Sequence, residues 1–348
     1  MRFLLLSPFT RGTTSSWIVK NVVGHEVDVV PAGYAHDRSR PVSGRREWAD
    51  YYRHVRAALR RAGGGRAQGL ITVFPQLAAL AGLLKRLLLR SDLTVVAWSF
   101  NLGRTYGGLK GAVARFALAG VDMFVVHSRA EIPLYSRWLR LPESRFQFVP
   151  LSVALPAEGE APASADEAPA GQQPYILALG SANRDYATLA AAVAGTGIPT
   201  LIVAGEHRTR RLQPQPEVSF RNGLALDECH RLARGARLNL VPLQDAGNPS
   251  GQVTLIEAMM RGCAIIATRC AGTEDYVEDG ADALLVPAGD VAALRVAILS
   301  LWNDDARRAE LGRRARERAL THYTFAAGGQ ALQAILDDCA PAAVLQQV

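Results

Sequence analysis

The residues best suited to chemistry follow Asn248, where a short polar loop precedes an apolar run. Ser250 is a residue type that favours the N-cap of a helix, and the pattern predicts a helix over 250–261. The first N–H groups of a helix lack intrahelical partners and lie at the positive end of its dipole. We therefore expect Ser250, Gly251 and Gln252 to form a site for a pyrophosphate group.

The predicted helix carries polar residues on one face. Ser250, Thr254 and Glu257 are spaced by four and three residues, which places them on one side of a helix. We expect this side to face a ligand and the opposite side to pack inward. The residues assigned to the opposite side are Val253, Ile256 and Met260. The alternative for Glu257 is a helix glutamate that faces solvent.

Alternating strands and helices must position this site. In the first half, β-rich segments alternate with helical patterns over 47–62, 76–90, 107–119 and 129–140. The strand segments are RFLLLS, HEVDVVP, GLITVF, LTVVAWS, DMFVVHS and RFQFVPL. Continuous apolar strands between helices indicate a parallel sheet covered on both faces. The first half is therefore predicted to be a doubly wound α/β domain.

The same alternation resumes after residues 154–174, which are rich in Ala, Pro, Glu and Gly and are predicted to be an exposed linker. The strand segments beyond it are YILALG, PTLIVAG, EVSFRN, ARLNLVPL, AIIATR and ALLVP. Helices are predicted over 184–194, 226–234, 250–261, near 273–278, and over 290–301, 304–321 and 324–337. A second doubly wound α/β domain is therefore expected.

These elements predict an N-terminal domain over 1–153, the linker, a C-terminal domain over 175–322, and a helix over 323–348 that packs back toward the N-terminal domain. A length of 348 residues suits two domains of ~100–200 residues each. Open α/β sheets bind ligands at the carboxyl ends of their strands, so we expect the site in a cleft between the domains.

Residues 248–294 resemble the nucleotide-sugar-binding signature of family-4 retaining glycosyltransferases. In that family a glycine-containing loop opens a helix with a glutamate, followed by a small-residue strand, a GG-x-x-E turn and a DG-x-x-G-x-L-V-P segment. The corresponding segments here are SGQ, LIEAM with Glu257, AIIAT, AGTEDYV and DGADALLVP. The resemblance runs from YILALG to THYTF and implies the GT-B fold, in which two Rossmann-like domains face a cleft. It also implies that Glu257 accepts hydrogen bonds from the donor ribose.

A second segment, YILALGSANRDYATLAAA, is similar to the family segment whose Arg or Lys binds the donor phosphates. It combines a strand, a small-residue turn at Gly180 and Ser181, and Arg184 at the start of a helix. The resemblance implies that Arg184 is catalytic, because a guanidinium can hold a diphosphate and neutralise it as it leaves. The alternative is an ion pair of Arg184 with Asp185 or with a surface carboxylate.

The chain departs from the family pattern at the first acidic position. The family carries two glutamates eight residues apart, and Pro249 stands eight residues before Glu257. Asn248, Ser250 and Gln252 offer hydrogen bonds in its place, and Asn248 is our catalytic candidate there.

The N-terminal half also departs from the pattern. Its first loop is SPFTRGTTSSW, in which Gly12 and Thr13 are candidates for backbone contacts with the donor phosphates. The loop WSFNLGRTYGG replaces one in which the family often has a histidine, and Asn101 is the substitute catalytic candidate. Arg104 and His127 are further substrate-binding candidates. Structural hydrogen bonding is the alternative for Asn101 and His127.

Charge is distributed unevenly along the chain. Residues 1–150 contain 22 Lys and Arg against 9 Asp and Glu, whereas the whole chain has a net charge of +7. A basic domain can attract nucleic acid, an anionic membrane surface or a phosphorylated molecule, or it can reflect arginines on solvated faces. Because no nucleic-acid-binding motif is recognised, nucleic acid is not expected as a partner.

A cytoplasmic location is expected. The apolar run of residues 3–6 is shorter than the ~7–15 residues of a signal-peptide core, and no run reaches the ~20 residues needed to span a bilayer. The four cysteines lack CxxC spacing, which disfavours a zinc site or a disulfide framework. One segment is amphipathic and is either a sheet-covering helix or a peripheral contact with the inner face of the membrane. It contains Leu77, Leu80, Leu84, Leu87, Leu88, Lys85, Arg86 and Arg90.

The resemblance implies a hexosyltransferase of polysaccharide biosynthesis that acts on a nucleotide-diphosphate sugar, with UDP favoured. The N-terminal domain would bind a glycan, lipid-linked or small-molecule acceptor, and the sugar would be transferred with retention by front-face displacement. No DxD-type acidic cluster is present, so neither a metal nor a cofactor is expected. The alternatives are a non-catalytic nucleotide-sugar-binding protein and a nucleotide-sugar epimerase of the same fold.

Overall fold

The computed structural model describes residues 1–10, 16–34, 43–160, 163, 173–210, 212–244 and 247–339. The chain forms two compact units. The first comprises Met1–Pro150 together with Phe325–Val348, and the second comprises Leu151–Thr324. Gly12, Thr13 and most of the predicted linker over 154–174 lie outside the described residues.

The first unit contains a six-stranded parallel sheet in the order β2-β1-β3-β4-β5-β6. Its strands are β1 (Arg2–Leu6), β2 (Glu26–Val30), β3 (Gly69–Val73), β4 (Thr94–Trp98), β5 (Met123–Val126) and β6 (Phe146–Phe148). Its helices are α1 (Trp17–Asn21), α2 (Arg45–Arg61), α3 (Pro75–Leu87), α4 (Gly108–Leu118), α5 (Glu131–Leu139) and, from the end of the chain, α12 (Phe325–Asp338).

The second unit contains another six-stranded parallel sheet, in the order β12-β11-β10-β7-β8-β9. Its strands are β7 (Ile176–Leu179), β8 (Thr200–Val203), β9 (Val218–Arg221), β10 (Leu238–Val241), β11 (Ile265–Thr268) and β12 (Leu284–Val286). Its helices are α6 (Tyr186–Val193), α7 (Glu206–Thr209), α8 (Leu226–Gly235), α9 (Gln252–Met260), α10 (Val291–Trp302) and α11 (Asp305–His322).

Helices cover both faces of each sheet. In β1, Leu4 and Leu6 belong to one buried cluster, whereas Phe3 and Leu5 belong to another on the opposite face. A strand buried on both faces needs apolar residues at consecutive positions, which is the pattern the sequence shows. The predicted fold class of two doubly wound α/β domains is confirmed.

The last helix, α12, packs within the first unit. The ring of Phe325 stacks on Trp17 of α1 with centroids 4.9 Å apart. Gly329 lies so close to α1 that a Cβ at this position would stand 2.5 Å from the carbonyl oxygen of Asn21. Gln333 accepts a hydrogen bond from the N–H of Gly24 at 2.7 Å. The close packing of α1 and α12 therefore requires a residue without a side chain at position 329.

One predicted helix is wrong, and two observed helices, α1 and α7, were not predicted. Residues 271–276 form turns instead of the helix expected near 273–278. The hydroxyl of Thr273 donates to the carbonyl of Thr268 at 2.6 Å, and such side-chain bonds compete with helical backbone bonding. Helix α1 arises in a segment that the sequence analysis treated as loop. No helix within the described residues combines the length and apolar character needed to cross a bilayer.

Candidate functional site

Three loops of the second unit meet where parallel strands end. β7 ends at Leu179 and β10 ends at Val241, and the two strands are neighbours in the sheet. Backbone hydrogen bonds join their following loops, because Gln244 donates to the Asn183 carbonyl at 2.9 Å and Asp185 donates to the Pro242 carbonyl at 3.1 Å. This pairing places the start of α6 beside the segment that leads into α9.

The N-terminus of α9 differs from the prediction at its cap. The N-cap is Gly251, with φ of 83°, and not Ser250, so the first helical residue is Gln252. Glycine adopts this left-handed conformation readily, and a Cβ at Gly251 would also stand 2.9 Å from the side chain of Leu243. Helical bonding begins with the N–H of Leu255, which donates to the Gly251 carbonyl at 2.9 Å. The N–H groups of residues 252–254 therefore have no acceptor within the helix.

A second glycine brings the loop after β11 against this helix start. A Cβ at Gly272 would lie 2.2 Å from the carbonyl oxygen of Ser250 and 2.6 Å from its nitrogen. The backbone of Ser250 is therefore held by direct backbone contact. Asn248, which precedes Pro249, is half-buried, and its side chain makes no hydrogen bond to the described part of the chain.

Arg184 is buried next to the start of α9 and bonds to Thr254 in the first turn of that helix. Only 5% of the residue is exposed, and burial lowers the pKa of its guanidinium. It donates to the carbonyls of Leu179 at 2.9 Å and Ala182 at 2.8 Å, and to the hydroxyl of Thr254 at 2.8 Å. Arg184 makes no ion pair with any carboxylate among the described residues. A guanidinium carries five N–H groups, so donors remain for an anion.

Asp185, the expected alternative partner of Arg184, has a different role. Its carboxylate caps α6 by accepting hydrogen bonds from the Thr188 N–H at 3.1 Å and the Thr188 hydroxyl at 2.7 Å. An acidic N-cap satisfies a free N–H group and interacts favourably with the helix dipole. The position of Asp185 is therefore explained without a contact to Arg184.

Gly180 and Ser181 shape the turn between β7 and Arg184. Gly180 has φ of 107°, and a Cβ at this position would lie 2.6 Å from Nη2 of Arg184. Ser181 accepts a hydrogen bond from the N–H of Gly205 at 2.9 Å. Because β7 and β8 are neighbours, this bond ties together the loops that follow them. The absence of a side chain at Gly180 therefore leaves room for the guanidinium of Arg184.

Glu257 belongs to a charged cluster that the sequence analysis did not predict. Its carboxylate pairs with Arg261 one turn later and lies 3.2 Å from Nε2 of His230 in α8. Arg261 also pairs with Glu160 at 2.9 Å and donates to Nδ1 of His230 at 2.8 Å. Burial and the nearby Arg261 charge lower the pKa of His230. Glu257 is therefore held in place, and the solvent-facing alternative does not describe it.

The sequence contained a signal for only one of these contacts. Glu257 and Arg261 are four residues apart, which is the spacing of an ion pair on one helix face. His230 and Glu160 are distant in sequence, and only the packing of α8 and the preceding chain against α9 brings them to the cluster. Glu160 lies within the predicted exposed linker, but its side chain is only 13% exposed.

A cavity of about 240 Å³ lies beside the charged cluster. Most of its walls are apolar, and Gly180, Thr254 and Glu257 contribute to them. Val253 lines the same cavity and is exposed, so its predicted inward-facing position is wrong, whereas Ile256 and Met260 are buried as expected. Gly180 and Thr254 in its lining place the cavity beside the turn that contacts Arg184 and beside the first turn of α9.

The candidates in the first unit are engaged in structural contacts. His127 is buried, and its ring is bonded at both nitrogens, to the Val149 carbonyl at 2.7 Å and to the Ser99 hydroxyl at 2.8 Å. Burial lowers the pKa of His127 to about 4, so the ring is neutral at physiological pH. Asn101 accepts a hydrogen bond from the N–H of Gly103 at 2.7 Å, and the exposed Arg104 lies over the ring of Tyr106.

The arrangement in the second unit fits a known family. Residues 173–304 match the Glycosyl transferases group 1 family. The resemblance to glycosyltransferases is confirmed for this part of the chain, and the assignment to family 4 and the retention of configuration stay predictions. The matched region includes Arg184, the α9 N-terminus and Glu257.

One curated relative is the D-inositol 3-phosphate glycosyltransferase of Corynebacterium kroppenstedtii. It is 28% identical over 133 residues, which are 38% of this chain. The aligned residues span 29% of the length of that relative.

Solved structures share the fold over nearly the whole chain. A sucrose-phosphate synthase from Thermosynechococcus elongatus is 20% identical with a TM-score of 0.68, and the alignment covers 97% of this chain and 98% of the other. Anabaena Alr3699/HepE in complex with UDP and glucose is 14% identical with a TM-score of 0.67, and the alignment covers 97% of this chain and 99% of the other. Both units therefore belong to the GT-B fold.

Proposed function

We propose that this protein is a glycosyltransferase that takes its sugar from a nucleotide-diphosphate donor bound in the second unit. The observation that carries the proposal is the position of Arg184, a buried cation that pairs with no carboxylate of the described residues and bonds to Thr254 in the first turn of α9. A helix N-terminus and a guanidinium together form a strong site for a diphosphate. The family match over residues 173–304 supports the same assignment.

The donor is inferred to be a UDP-hexose with its base and ribose in the apolar cavity. Glu257 lines that cavity and can accept hydrogen bonds from ribose hydroxyls while Arg261 and His230 hold its carboxylate. UDP is favoured because structures of Anabaena Alr3699/HepE contain UDP and UDP-glucose. A glycan, a lipid-linked sugar or a small molecule would serve as acceptor, and the protein would act in the cytoplasm.

Charge stabilisation of the leaving diphosphate would supply much of the rate. As the bond between sugar and phosphate breaks, negative charge grows on the phosphate oxygens next to Arg184 and the α9 N–H groups. Because these groups are cationic or dipolar, no metal is needed for this step. We propose retention by front-face displacement, in which the acceptor hydroxyl attacks on the side that the diphosphate leaves and passes its proton to a phosphate oxygen.

The second candidate is a protein that binds the nucleotide sugar without transferring it. Pro249 favours this candidate, because it stands where the related family carries its first glutamate. An epimerase is the third possibility, and its product would be the donor with one inverted centre.

Nucleotide release and product analysis separate these functions. We would first rank UDP-, GDP- and ADP-sugars by thermal shift, since a ligand at 100 times its Kd adds about 2.7 kcal/mol to stability. Release of free nucleotide that accelerates with an acceptor indicates a transferase, and NMR of the new linkage gives the anomeric outcome. Binding without release indicates a binder, and a changed sugar in the recovered donor indicates an epimerase. If no nucleotide sugar raises the melting temperature, the proposed function is wrong.

A further inference from the structure

Six large apolar side chains of the first unit project from neighbouring helices into solvent. Leu87, Leu88 and Leu89 lie at the end of α3, and Leu89 is 87% exposed. Leu109, Val113 and Phe116 lie on α4, and Leu109 is 82% exposed. Single exposed apolar residues are common, but a group of this size on two adjacent elements is the signature of a binding surface.

The two groups belong to one surface because α3 and α4 pack closely. A Cβ at Gly82 would lie 2.4 Å from the carbonyl oxygen of Ala117, and one at Gly120 would lie 2.2 Å from that of Gly82. Further along α3, the guanidinium of Arg86 lies over the ring of Phe116, 4.5 Å from its centroid. The end of α3 therefore runs alongside the exposed face of α4. We call this surface, formed by residues 86–90 and 109–116, the α3–α4 surface.

The apolar residues of α4 form a single stripe. Leu109, Val113 and Phe116 are spaced by four and three residues and therefore share one face of the helix. The buried residues Gly111 and Leu118 lie on the opposite side of the helix, and the buried Ala117, four residues after Val113, lies at the edge of the stripe. The core of the first unit is thus built without the stripe, and the stripe is available to a partner.

Positive charge surrounds the apolar residues. Residues 75–122 contain six Lys or Arg and two acidic residues, of which Asp92 pairs with Arg90 and Asp122 pairs with Lys85. Arg86, Lys110 and Arg115 form no ion pair with the carboxylates of the described chain. Arg86 and Lys110 instead lie over the rings of Phe116 and Tyr106. An apolar centre with unpaired cations at its edge is complementary to a partner whose interior is apolar and whose surface groups are anionic.

Leu89 occupies the position after the C-cap of α3 and presents its side chain to solvent. Leu89 follows the end of α3 with φ of 51°, a left-handed conformation that favours glycine. A leucine there costs about 1 kcal/mol relative to glycine. The conformation is that of a helix C-cap, because the N–H groups of Leu89 and Arg90 donate to the carbonyls of Arg86 at 3.2 Å and Lys85 at 2.9 Å. The Leu89 side chain is almost fully exposed and contacts little of the folded chain.

We propose that the α3–α4 surface docks the protein onto an anionic lipid bilayer. The leucines, Val113 and Phe116 would enter the boundary between headgroups and acyl chains, while Arg86, Lys110 and Arg115 would contact lipid phosphates. A second copy of this chain is disfavoured because it would bring like charges together. Nucleic acid is disfavoured because its phosphates would leave the apolar stripe in water. The proposal does not depend on which sugar is transferred.

Vesicle binding by the full chain tests this proposal. The protein is sedimented with phosphatidylcholine vesicles that either lack or contain about one third phosphatidylglycerol. We expect binding to the anionic vesicles only, with a loss of affinity when salt is raised from about 0.1 M to about 0.5 M. Nucleotide-sugar binding is measured on the same samples, so failure of the donor site and failure of the lipid site give different results.

Three variants locate the contact. Leu89→Ser with Leu109→Ser should weaken binding at least ~10-fold, because both side chains touch little of the folded chain and the loss reflects lipid contact. Lys110→Gln with Arg115→Gln should weaken it ~10-fold or more and remove the preference for anionic vesicles. The control is Val23→Ser with Val296→Ser, which changes two similarly exposed residues elsewhere and should bind as the unmodified chain does.

Four outcomes would overturn the proposal. The first is no binding to anionic vesicles by a folded chain, and the second is equal binding by the leucine variant and the control. The third is self-association. If ultracentrifugation shows dimers that the leucine variant abolishes, and the protein does not bind vesicles, the surface is an interface between copies of the chain. Capture of an acidic protein in place of lipid would have the same consequence for the proposal.

Discussion

Replacement of Arg184 by methionine should separate ligand binding from stability. The guanidinium donates three hydrogen bonds to uncharged acceptors and lies in a position where only 5% of the residue is exposed. In the free protein, its removal loses hydrogen bonds worth about 1 kcal/mol each but also removes the cost of burying a charge without a counter-ion. Because these effects oppose each other, we expect the free energy of unfolding to change by less than about 2 kcal/mol.

The effect on the donor should be much larger. A hydrogen-bonded charge contact with the diphosphate is worth about 3 kcal/mol, so Arg184→Met should raise the Kd for UDP roughly a hundredfold. Titration calorimetry with UDP measures the affinity, and urea unfolding measures the stability. The matched control is Arg295→Met, because Arg295 also donates to backbone carbonyls, those of Ala191 and Ala194 at 2.9 Å each, and lies in α10.

Two results would refute this reasoning. If Arg184→Met binds UDP with a Kd within about twofold of the unmodified protein, the diphosphate does not contact this residue. If the variant loses several kcal/mol of stability and Arg295→Met does not, Arg184 is required for the structure of the second unit. In either case the donor would have to be assigned to another site.

Three further substitutions test the site and the first unit. Gly180→Ala should weaken UDP binding at least ~10-fold in calorimetry, because the φ of Gly180 is 107° and the added Cβ would meet Arg184. Gly195→Ala is the control, since its φ is 72° but the space around it is open, and it should lower only the melting temperature. Glu257→Gln should weaken binding of UDP ~10-fold but leave that of the 2′,3′-dideoxy analogue unchanged, and an equal loss for both would exclude a ribose contact. Burial lowers the pKa of His127 to about 4, so protonation favours the unfolded chain as the pH falls from about 6.5 toward 4. The free energy of unfolding should therefore fall by about 3 kcal/mol over this range. His127→Gln should remove this loss in urea titrations, and an unchanged pH dependence in the variant would show that another group is responsible.

Local patterns in the amino-acid sequence were sufficient to predict the fold class and the approximate start of α9. Apolar runs that alternate with helical periods specify parallel strands covered on both faces, and the strand segments predicted in both halves correspond to the two observed sheets. The segment around Gly251 could be located because a helix N-terminus is a local feature. Its cap was misassigned because serine is the commoner cap residue, whereas a φ of 83° and the close approach of Leu243 require glycine at position 251.

The charge partners of the site residues could not be predicted from local patterns, because they depend on how distant segments pack. Whether Arg184 pairs with Asp185 depends on the neighbours of each side chain, and these are Thr254 for the arginine and Thr188 for the aspartate. The partners of Glu257 come from distant positions, and periodicity within one helix contains no information about them. The same holds for the α3–α4 surface, because a sequence shows that a helix is amphipathic but not which apolar residues the sheet leaves uncovered. Hydrogen bonding and burial depend on which elements become neighbours, and this is settled when the sheets assemble.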